Sequence, residues 1–536
     1  MACPGEPGRE EAPARLGVVG AGTMGAGIAQ LGCLAGMETF LHDPVADALA
    51  RGAERVREGL EKGAERGRWS AEDARAAADR LRACEPLEDL SPCELVIEAA
   101  PERLELKREL LGRLSEICDG GTVLATNTSS IPVTALVSAA ARPEDVVGMH
   151  FFNPAPLMRL VEVISADGTG ERALAVARAA GGAMGRRVIE ASDGPGFLVN
   201  RCGRPFGAEA LRLVAERVAA PEQIDRVCRL GGGFRMGPFE LMDLVGIDVG
   251  LEVARSFHSQ SFGEPRWRPS PLQEQLVAAG RLGRKAGRGW YRYDDGPHRA
   301  DDPDPPSPGG GEGRVVAIEG TGALAAKLRE RARAAGWEAR EPEELAGVAP
   351  ELVVDTSVPA PAADPLAAAL GTATDGPPLL AVCADRSLAG RGEPLACGFN
   401  LLPPLSETRL VELTRLSSTP DATVAAAEAF FGSLGLAVEW VADAPGLVLG
   451  RIVCQLVNEA AFAIGEGVGS PDDVDAGVTL GLNHPRGPVA WGRAIGLDQV
   501  LATIDGLWEE RREERYRAAP LLRRAVATGV DLADAA

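Results

Sequence analysis

The sequence predicts an α/β doubly wound domain followed by an all-α domain, and after them a degenerate, shortened second copy of both. Three observations lead there. From Arg15 onward short apolar runs alternate with longer helical patterns, the rhythm of strand-helix-strand units around a parallel sheet. From residue 197 to about 280 the pattern becomes helical with few strand candidates. Beyond residue 313 the chain repeats itself.

The elements follow in order. Leu16-Gly17-Val18-Val19 reads as a buried strand that feeds Gly20-Ala21-Gly22-Thr23-Met24-Gly25 and then a helix over 24–35. The next strand, 38–43, ends on Asp43, and an Arg/Glu/Ala-rich helical stretch follows it. Two further apolar runs, 93–99 and 122–127, continue the sheet. In 148–164, GMHFFNPAPLMRLVEVI, one of only five histidines sits on an apolar run, a two-proline turn follows, and a second apolar run carries Glu162. A strand-turn-strand hairpin brings His150 and Glu162 together, giving the imidazole a carboxylate on its far nitrogen, which is how a general base is wired. After Asp193-Gly194-Pro195-Gly196 the helical region begins, and it closes with GRKAGRGWYRY at 283–293. Residues 294–313 are almost wholly Pro, Gly and acid, hence a solvated linker.

The repeat keeps its register residue by residue. Gly148 pairs with Gly398, Arg159 to Glu162 with Arg409 to Glu412, Pro195-Gly196 with Pro445-Gly446, Arg201 with Arg451, and Gly246 with Gly496, always at an offset of 250. Residues 314–322 echo 15–22 at an offset of 300, so the second copy has lost about 50 residues of its nucleotide-type domain. In that copy Asn400 answers His150, Gly450 answers Asn200 and Ala325 answers Gly25. A proton acceptor has given way to a neutral amide while scaffold Gly and Pro positions remain, so the second half is expected to be catalytically silent. The boundaries read as 14–193, 194–293, the linker 294–313, 314–442 and 443–536.

Composition narrows the function classes. At 536 residues the chain needs more than one core. A net charge of −21 argues against a nucleic-acid binder, which needs a basic face. The ten cysteines form no CxxC pair, so no metal site and no disulfide framework is expected. Residues 1–15 lack an apolar signal-like core, and no run of about 18 apolar residues occurs, so the expectation is a cytoplasmic protein with no membrane partner.

GxGxxG alone is weak in a chain with 65 glycines. Its context strengthens it: a strand leads in, a helix leads out, and Asp43 closes the next strand. Such glycines permit a tight turn and close approach of a pyrophosphate to the helix N-terminus. Asp43 would accept hydrogen bonds from ribose hydroxyls and repel a 2′-phosphate, which favours NAD over NADP. The first domain is therefore expected to be of the Rossmann type, with NAD as cofactor.

The motif HFFNPxPxMxLVEV, with VIEAAPE at 96–102, TNTSS at 126–130 and DGPGFLVNR at 193–201, resembles the NAD-dependent L-3-hydroxyacyl-CoA dehydrogenases. The two-copy layout is similar to the longer bacterial members, 3-hydroxybutyryl-CoA and 3-hydroxyadipyl-CoA dehydrogenases among them. The resemblance implies roles by position. His150 is the catalytic base and Glu162 its partner; Ser129 bonds the reacting oxygen; Asn200 orients the substrate carbonyl region. Gly20, Gly22, Thr23, Met24, Gly25, Asp43, Glu102, Lys107 and Asn127 contact the cofactor. Lys62 meets the coenzyme A moiety of an acyl-CoA substrate. It also implies that the helical domains form the dimer contact, here an internal pseudo-dimer, with a homodimer of whole chains as a further possibility.

Each residue has a structural alternative. His150 can be a satisfied core histidine, Glu162 a strand-end charge, Ser129, Ser130 and Asn127 turn caps, and Lys62 a solvated helix lysine. With only four lysines in the chain, Lys62 and Lys107 at family positions carry more weight. Two other functions stay open at this level: a dehydrogenase of a free, gulonate-like hydroxy acid, and a non-catalytic NAD-binding scaffold.

Overall fold

A computed structural model describes residues 12–294, 296–345, 347–358 and 376–536. The N-terminal stretch 1–11 and part of the second nucleotide-type domain lie outside the described residues. The chain divides into two compact units. One ends at Arg201 and takes in Gly467–Leu482; the other holds Cys202–Glu466 and Asn483–Ala536.

In the first unit eight strands form one sheet: β1 (Arg15–Val19), β2 (Glu38–His42), β3 (Leu81–Cys84), β4 (Leu95–Glu98), β5 (Val123–Thr126), β6 (Val146–Phe151), β7 (Leu160–Ser165) and β8 (Arg187–Ser192). Their spatial order is β3-β2-β1-β4-β5-β6-β7-β8. The first six run parallel, in the order of a dinucleotide-binding sheet. β7 then turns back antiparallel to β6 and β8 runs parallel to β7. β4, β5 and β6 are buried along their whole length, which is why they read as unbroken apolar runs with no polar face.

The helices between these strands explain themselves locally. α1 (Thr23–Leu34) is buried from Gly25 to Cys33 and packs on the sheet as a core helix. α2 (Ala46–Glu65) is amphipathic, burying Leu49, Ala53, Val56 and Leu60 while its acids and arginines face water. α3 (Ala71–Ala78) starts at a capping box in which Ser70 and Asp73 satisfy each other's backbone amides. α4 (Leu104–Ile117), α5 (Val133–Val137) and α6 (Glu171–Ala183) complete the set.

The second unit repeats this sheet with one strand fewer: β9 (Val315–Glu319), β10 (Glu338–Arg340), β11 (Leu352–Asp355), β12 (Leu379–Val382), β13 (Cys397–Asn400), β14 (Leu410–Arg415) and β15 (Ala437–Trp440), ordered β10-β9-β11-β12-β13-β14-β15. β1 and β9 lie 300 residues apart, but β4 and β11 only 257. The deletion therefore falls chiefly on the counterparts of α2, α3 and β3.

Most of the helical regions also belong to the second unit. α7 (Val199–Ala215) leads from the first unit into α8 (Pro221–Arg226), α9 (Pro238–Val245), α10 (Ile247–Gln260) and α11 (Pro271–Ala278). In the second copy the helix Leu449–Gly465 is buried on every side from Leu449 to Ile464, as a central core helix must be. Arg451 on it is fully buried, with Nε 2.8 Å from Glu209 on α7 and Nη1 2.6 Å from Glu216 just past its end.

The two copies exchange helices. Helix Pro471–Leu482, from the second copy, packs on β7 and β8 of the first unit, and Ser192 N donates to Val468 O at 2.8 Å. Reciprocally, the π-helical turn Val227–Gly231 after α8 packs on β14, and Ala442 N donates to Val218 O at 2.8 Å. Both residues of the second bond are related to those of the first by the same shift of 250. Among the described residues no helix is long and apolar enough to cross a membrane.

Candidate active site

Because the first six strands are parallel, their carboxyl ends share one edge of the sheet, where ligands of such folds bind. The predicted residues gather there. Gly20 follows β1, Asp43 follows β2, Glu102 follows β4, Asn127 and Ser129 follow β5, and His150 ends β6.

The glycine loop is set by close approaches. Gly20 has φ +100° and lies where a Cβ would come 2.7 Å from Ala99 O. Gly25 lies so tightly over the loop that a Cβ would fall 1.7 Å from Gly20 O. Gly22 caps α1, and nothing lies within 4 Å of the place its Cβ would take. The first backbone bond of α1 is Ala26 N to Gly22 O, so the amides of Gly22, Thr23, Met24 and Gly25 precede the helical ladder, as at any helix start. Asp43 accepts from Ala21 N at 2.9 Å and Val45 N at 3.0 Å, tying the loop to the end of β2. Open space before a helix N-terminus, with a carboxylate at the neighbouring strand end, fits the pyrophosphate and ribose of NAD.

Next along the edge, Glu102 organises the loop after β5. Its Oε1 accepts from Thr128 Oγ1 at 2.6 Å, Ser129 N at 3.0 Å, Ser130 N at 3.0 Å and Ser130 Oγ at 2.9 Å. Burial works against its charge, but Lys107 and these donors outweigh that and hold the carboxyl below its usual range. Lys107, 1% exposed, donates to both oxygens of Glu98 at 2.8 and 3.0 Å and to Ala100 O at 3.2 Å, and lies 3.4 Å from Glu102. Its ammonium is thus held inside the sheet edge. Asn127 accepts from Phe151 N at 2.8 Å, joining this loop to β6. Ser129 itself is exposed.

The hairpin forms as its sequence suggests. His150 and Glu162 are register partners on β6 and β7, and His150 Nδ1 lies 2.6 Å from Glu162 Oε2. A carboxylate only accepts, so Nδ1 carries a proton, and the neutral tautomer that fits this bond leaves the lone pair on Nε2. Glu162 is 0% exposed. Its second oxygen accepts from Leu198 N at 3.2 Å and Val199 N at 2.9 Å at the start of α7. Phe152 and Phe197 flank the imidazole, with ring centres 4.5 and 5.8 Å away. The turn after β6 seats on α1: Pro156 Cδ lies 2.9 Å from where a Cβ on Gly27 would stand. That contact draws the histidine hairpin and the helix of the glycine loop together.

Asn200 lies on the first turn of α7, next to the two residues whose amides bond Glu162. Lys62, by contrast, is on the exposed face of α2, paired with Glu58 at 2.8 Å. Sequence reasoning missed several members of this assembly. Glu98, the buried partner of Lys107, was legible as an acid inside an apolar strand. Thr126 also donates to Glu98, at 2.8 Å, and Thr128 bridges to Glu102. The backing by helix Pro471–Leu482 gave no local signal. Gly477 faces Val199 and Ile189, and Gly481 faces Leu160, Val199 and Phe152, all close enough that a Cβ would be crowded.

The second copy keeps the frame but has Asn400 where the first has His150. Asn400 and Glu412 are register partners on β13 and β14, and Glu412 accepts from Val448 N and Leu449 N as Glu162 does from its own helix start. The amide Nδ2 of Asn400 reaches Glu412 only at 3.4 Å, and burial pushes the Glu412 carboxyl up to about 7. At the glycine loop Ala325 replaces Gly25, and Arg329 donates to Ile318 O and Gly320 O, filling the end of β9 with a guanidinium. Among the described residues no group of acids, histidines and cysteines could hold a metal ion.

Residues 15–194 match the profile described as 3-hydroxyacyl-CoA dehydrogenase, NAD binding domain. Residues 196–293 and again 446–531 match 3-hydroxyacyl-CoA dehydrogenase, C-terminal domain. A 3-hydroxyadipyl-CoA dehydrogenase of Escherichia coli is 35% identical over 508 residues, covering 95% of this chain and 96% of that protein. A probable 3-hydroxybutyryl-CoA dehydrogenase of Bacillus subtilis is 40% identical over 278 residues, covering 52% of this chain and 96% of its own length. Among solved structures, a 3-hydroxybutyryl-CoA dehydrogenase from Escherichia coli K12 superposes with a TM-score of 0.77 at 31% identity, covering 96% of this chain and 98% of that one.

Proposed function

The chain belongs to the 3-hydroxyacyl-CoA dehydrogenase family, and from that premise we propose how its residues carry out the NAD-dependent oxidation of a 3-hydroxyacyl-CoA to the 3-oxoacyl-CoA. When bound, NAD supplies the hydride acceptor. The amides of Gly22, Thr23, Met24 and Gly25 would hold its pyrophosphate and Asp43 its ribose hydroxyls. Glu102, Lys107 and Asn127 serve the cofactor by shaping the loop that carries Ser129.

The Nε2 lone pair of His150 takes the proton of the substrate 3-hydroxyl. The O–H electron pair becomes the second bond of the new carbonyl, and the C3 hydrogen would depart with the C–H electron pair, the hydride that bound NAD would accept. Glu162 holds the tautomer beforehand and stabilises the imidazolium afterwards. Ser129 donates to the reacting oxygen, Asn200 orients the thioester carbonyl, and Lys62 meets the coenzyme A.

The observation that carries this reading is the 2.6 Å bond between His150 Nδ1 and Glu162. Following NADH formation with 3-hydroxybutyryl-CoA and with gulonate tests it. Turnover is expected with the thioester alone; turnover with gulonate alone overturns the assignment.

Three further readings belong to the same proposal. Residues 14–193 bind the nucleotide, 194–293 and 443–536 are the paired helical domains, 294–313 link the copies, and 314–442 are the degenerate nucleotide-type domain. The helical domains make an internal pseudo-dimer, supported by the Arg451 pairs and the reciprocal helix exchange; association of whole chains into a homodimer is left to its surface. The protein works in the cytoplasm, in keeping with nine described cysteines that are all buried free thiols.

A further inference from the structure

The hydrogen bond from His150 Nδ1 to Glu162 holds the imidazole at one edge. The torsion that turns such a ring about its bond to Cβ has broad minima, so this bond alone does not set the plane of the ring. The Nε2 lone pair lies in that plane, and proton transfer needs it aimed at the substrate hydroxyl. Two buried phenyl rings bear on the imidazole. Phe152 is centred 4.5 Å away and tilted by 54°, Phe197 5.8 Å away and tilted by 58°, the spacing and tilt of packed aromatic pairs.

The second copy supplies an internal control. At the shift of 250, Leu402 stands for Phe152 and Leu447 for Phe197, where Asn400 stands for His150. The backbone is otherwise retained. Phe197 has φ +52° and Leu447 φ +43°, a conformation that bulky residues avoid. In each copy the next two amides donate to the strand glutamate: Leu198 and Val199 to Glu162, Val448 and Leu449 to Glu412. The strained turn therefore serves the carboxylate and is indifferent to the ring. Leu402 and Leu447 are both buried, so leucine fills either place in this fold. Aromatics are not excluded from the strand either, since Phe399 stands where the first copy has Met149. What goes with the imidazole is the pair of flat side chains.

We infer that Phe152 and Phe197 are positioning residues for His150, their rings holding the imidazole plane so that Nε2 points at the substrate hydroxyl. This rests on the dehydrogenase reading above. A phenyl ring is a rigid, flat wall for another ring. Leucine is as apolar but has no flat face, and it suffices where the neighbour is an asparagine. Phe151 offers the contrast: successive strand residues point to opposite faces, and its side chain belongs to the core beneath the sheet. It too has a leucine counterpart, Leu401, so its truncation reports packing alone.

The test measures kcat with 3-hydroxybutyryl-CoA and NAD. Phe152→Leu and Phe197→Leu are each expected to lower kcat by about tenfold or more, with NAD affinity and the KM of the thioester within about twofold of the wild type. In a His150→Gln background there is no imidazole to hold, so adding Phe152→Leu should leave the residual kcat where it is. Phe151→Leu should lower Tm at least as much as Phe152→Leu and kcat far less. Unchanged kcat in both variants at 152 and 197 overturns the inference. So does a full further loss in the His150→Gln background, or a loss in Phe151→Leu equal to that in Phe152→Leu, either of which would assign the rings to packing. Should Phe152→Leu fail to fold, Phe197→Leu takes its place in each comparison. If His150→Gln itself turns over like the wild type, the dehydrogenase reading has failed instead.

Discussion

His150 and Glu162 face each other as register partners on antiparallel strands, and their side chains meet in a 2.6 Å hydrogen bond. Glu162 is held from behind by two backbone amides. Its position is therefore fixed by the sheet register and by the start of a helix, not by its own rotamer.

Removing either member should stop the reaction without emptying the nucleotide site. His150→Gln is expected to lower kcat by about 10²- to 10⁴-fold. Glu162→Gln should also lose at least about 10²-fold, because an amide no longer enforces the tautomer with the lone pair on Nε2. NAD titration by fluorescence checks that binding persists; undiminished kcat in either variant would refute the assignment.

Gly25→Ala places a methyl group where Gly20 O lies 1.7 Å away. The loop has to open to accept it. NAD affinity is expected to fall at least about tenfold, equivalent to some 1.4 kcal/mol, while circular dichroism stays native. Calorimetric titration measures it.

Gly481→Val probes the helix that the second copy lends to the first sheet. A Cβ there would stand 2.9 Å from Leu160 Cδ2 and 3.1 Å from Val199 Cγ1. Overpacking of this kind costs about 1–3 kcal/mol, and here the strain falls on Val199 and Phe152, which adjoin Glu162 and His150. Both Tm and kcat should drop, with NAD affinity retained. Adding Val199→Ala should recover part of each; no recovery would mean the contact does not matter.

Glu412 gives a pH dependence with a definite sign. Its folded-state pKa is raised from 4.5 to about 7, so between those values the native protein binds the extra proton. The stability it contributes is whole below about 4.5 and is lost as pH rises through 7. Glu412→Gln should flatten that part of the urea-unfolding profile and be the relatively more stable protein above pH 7. Parallel profiles for the two proteins would contradict it.

Much of this was legible in the chain because the signals were local or periodic. His150, the proline turn and Glu162 fall within one hairpin, so their spacing alone brought them opposite each other. The offset of 250 exposed the duplication, and the change to Asn400 pointed to a silent copy. Lys107 illustrates what stayed hidden. Its rarity drew attention, but only the fold shows its ammonium enclosed by Glu98 and Glu102. The helix exchange was also out of reach, since Gly481 and Phe152 are far apart in sequence and neither pattern refers to the other.

The exchanged helices set a limit on how the chain can be shortened. A fragment stopping at the acidic linker would contain every group assigned to the reaction, yet it would lack the wall behind β7 and β8. Supplied as a separate peptide, that wall would have to be recruited from solution at an entropic penalty which covalent tethering removes. On the proposed reading, fusion of the two halves would keep that wall beside the site at any dilution, and would free the rest of the second half to drift in sequence.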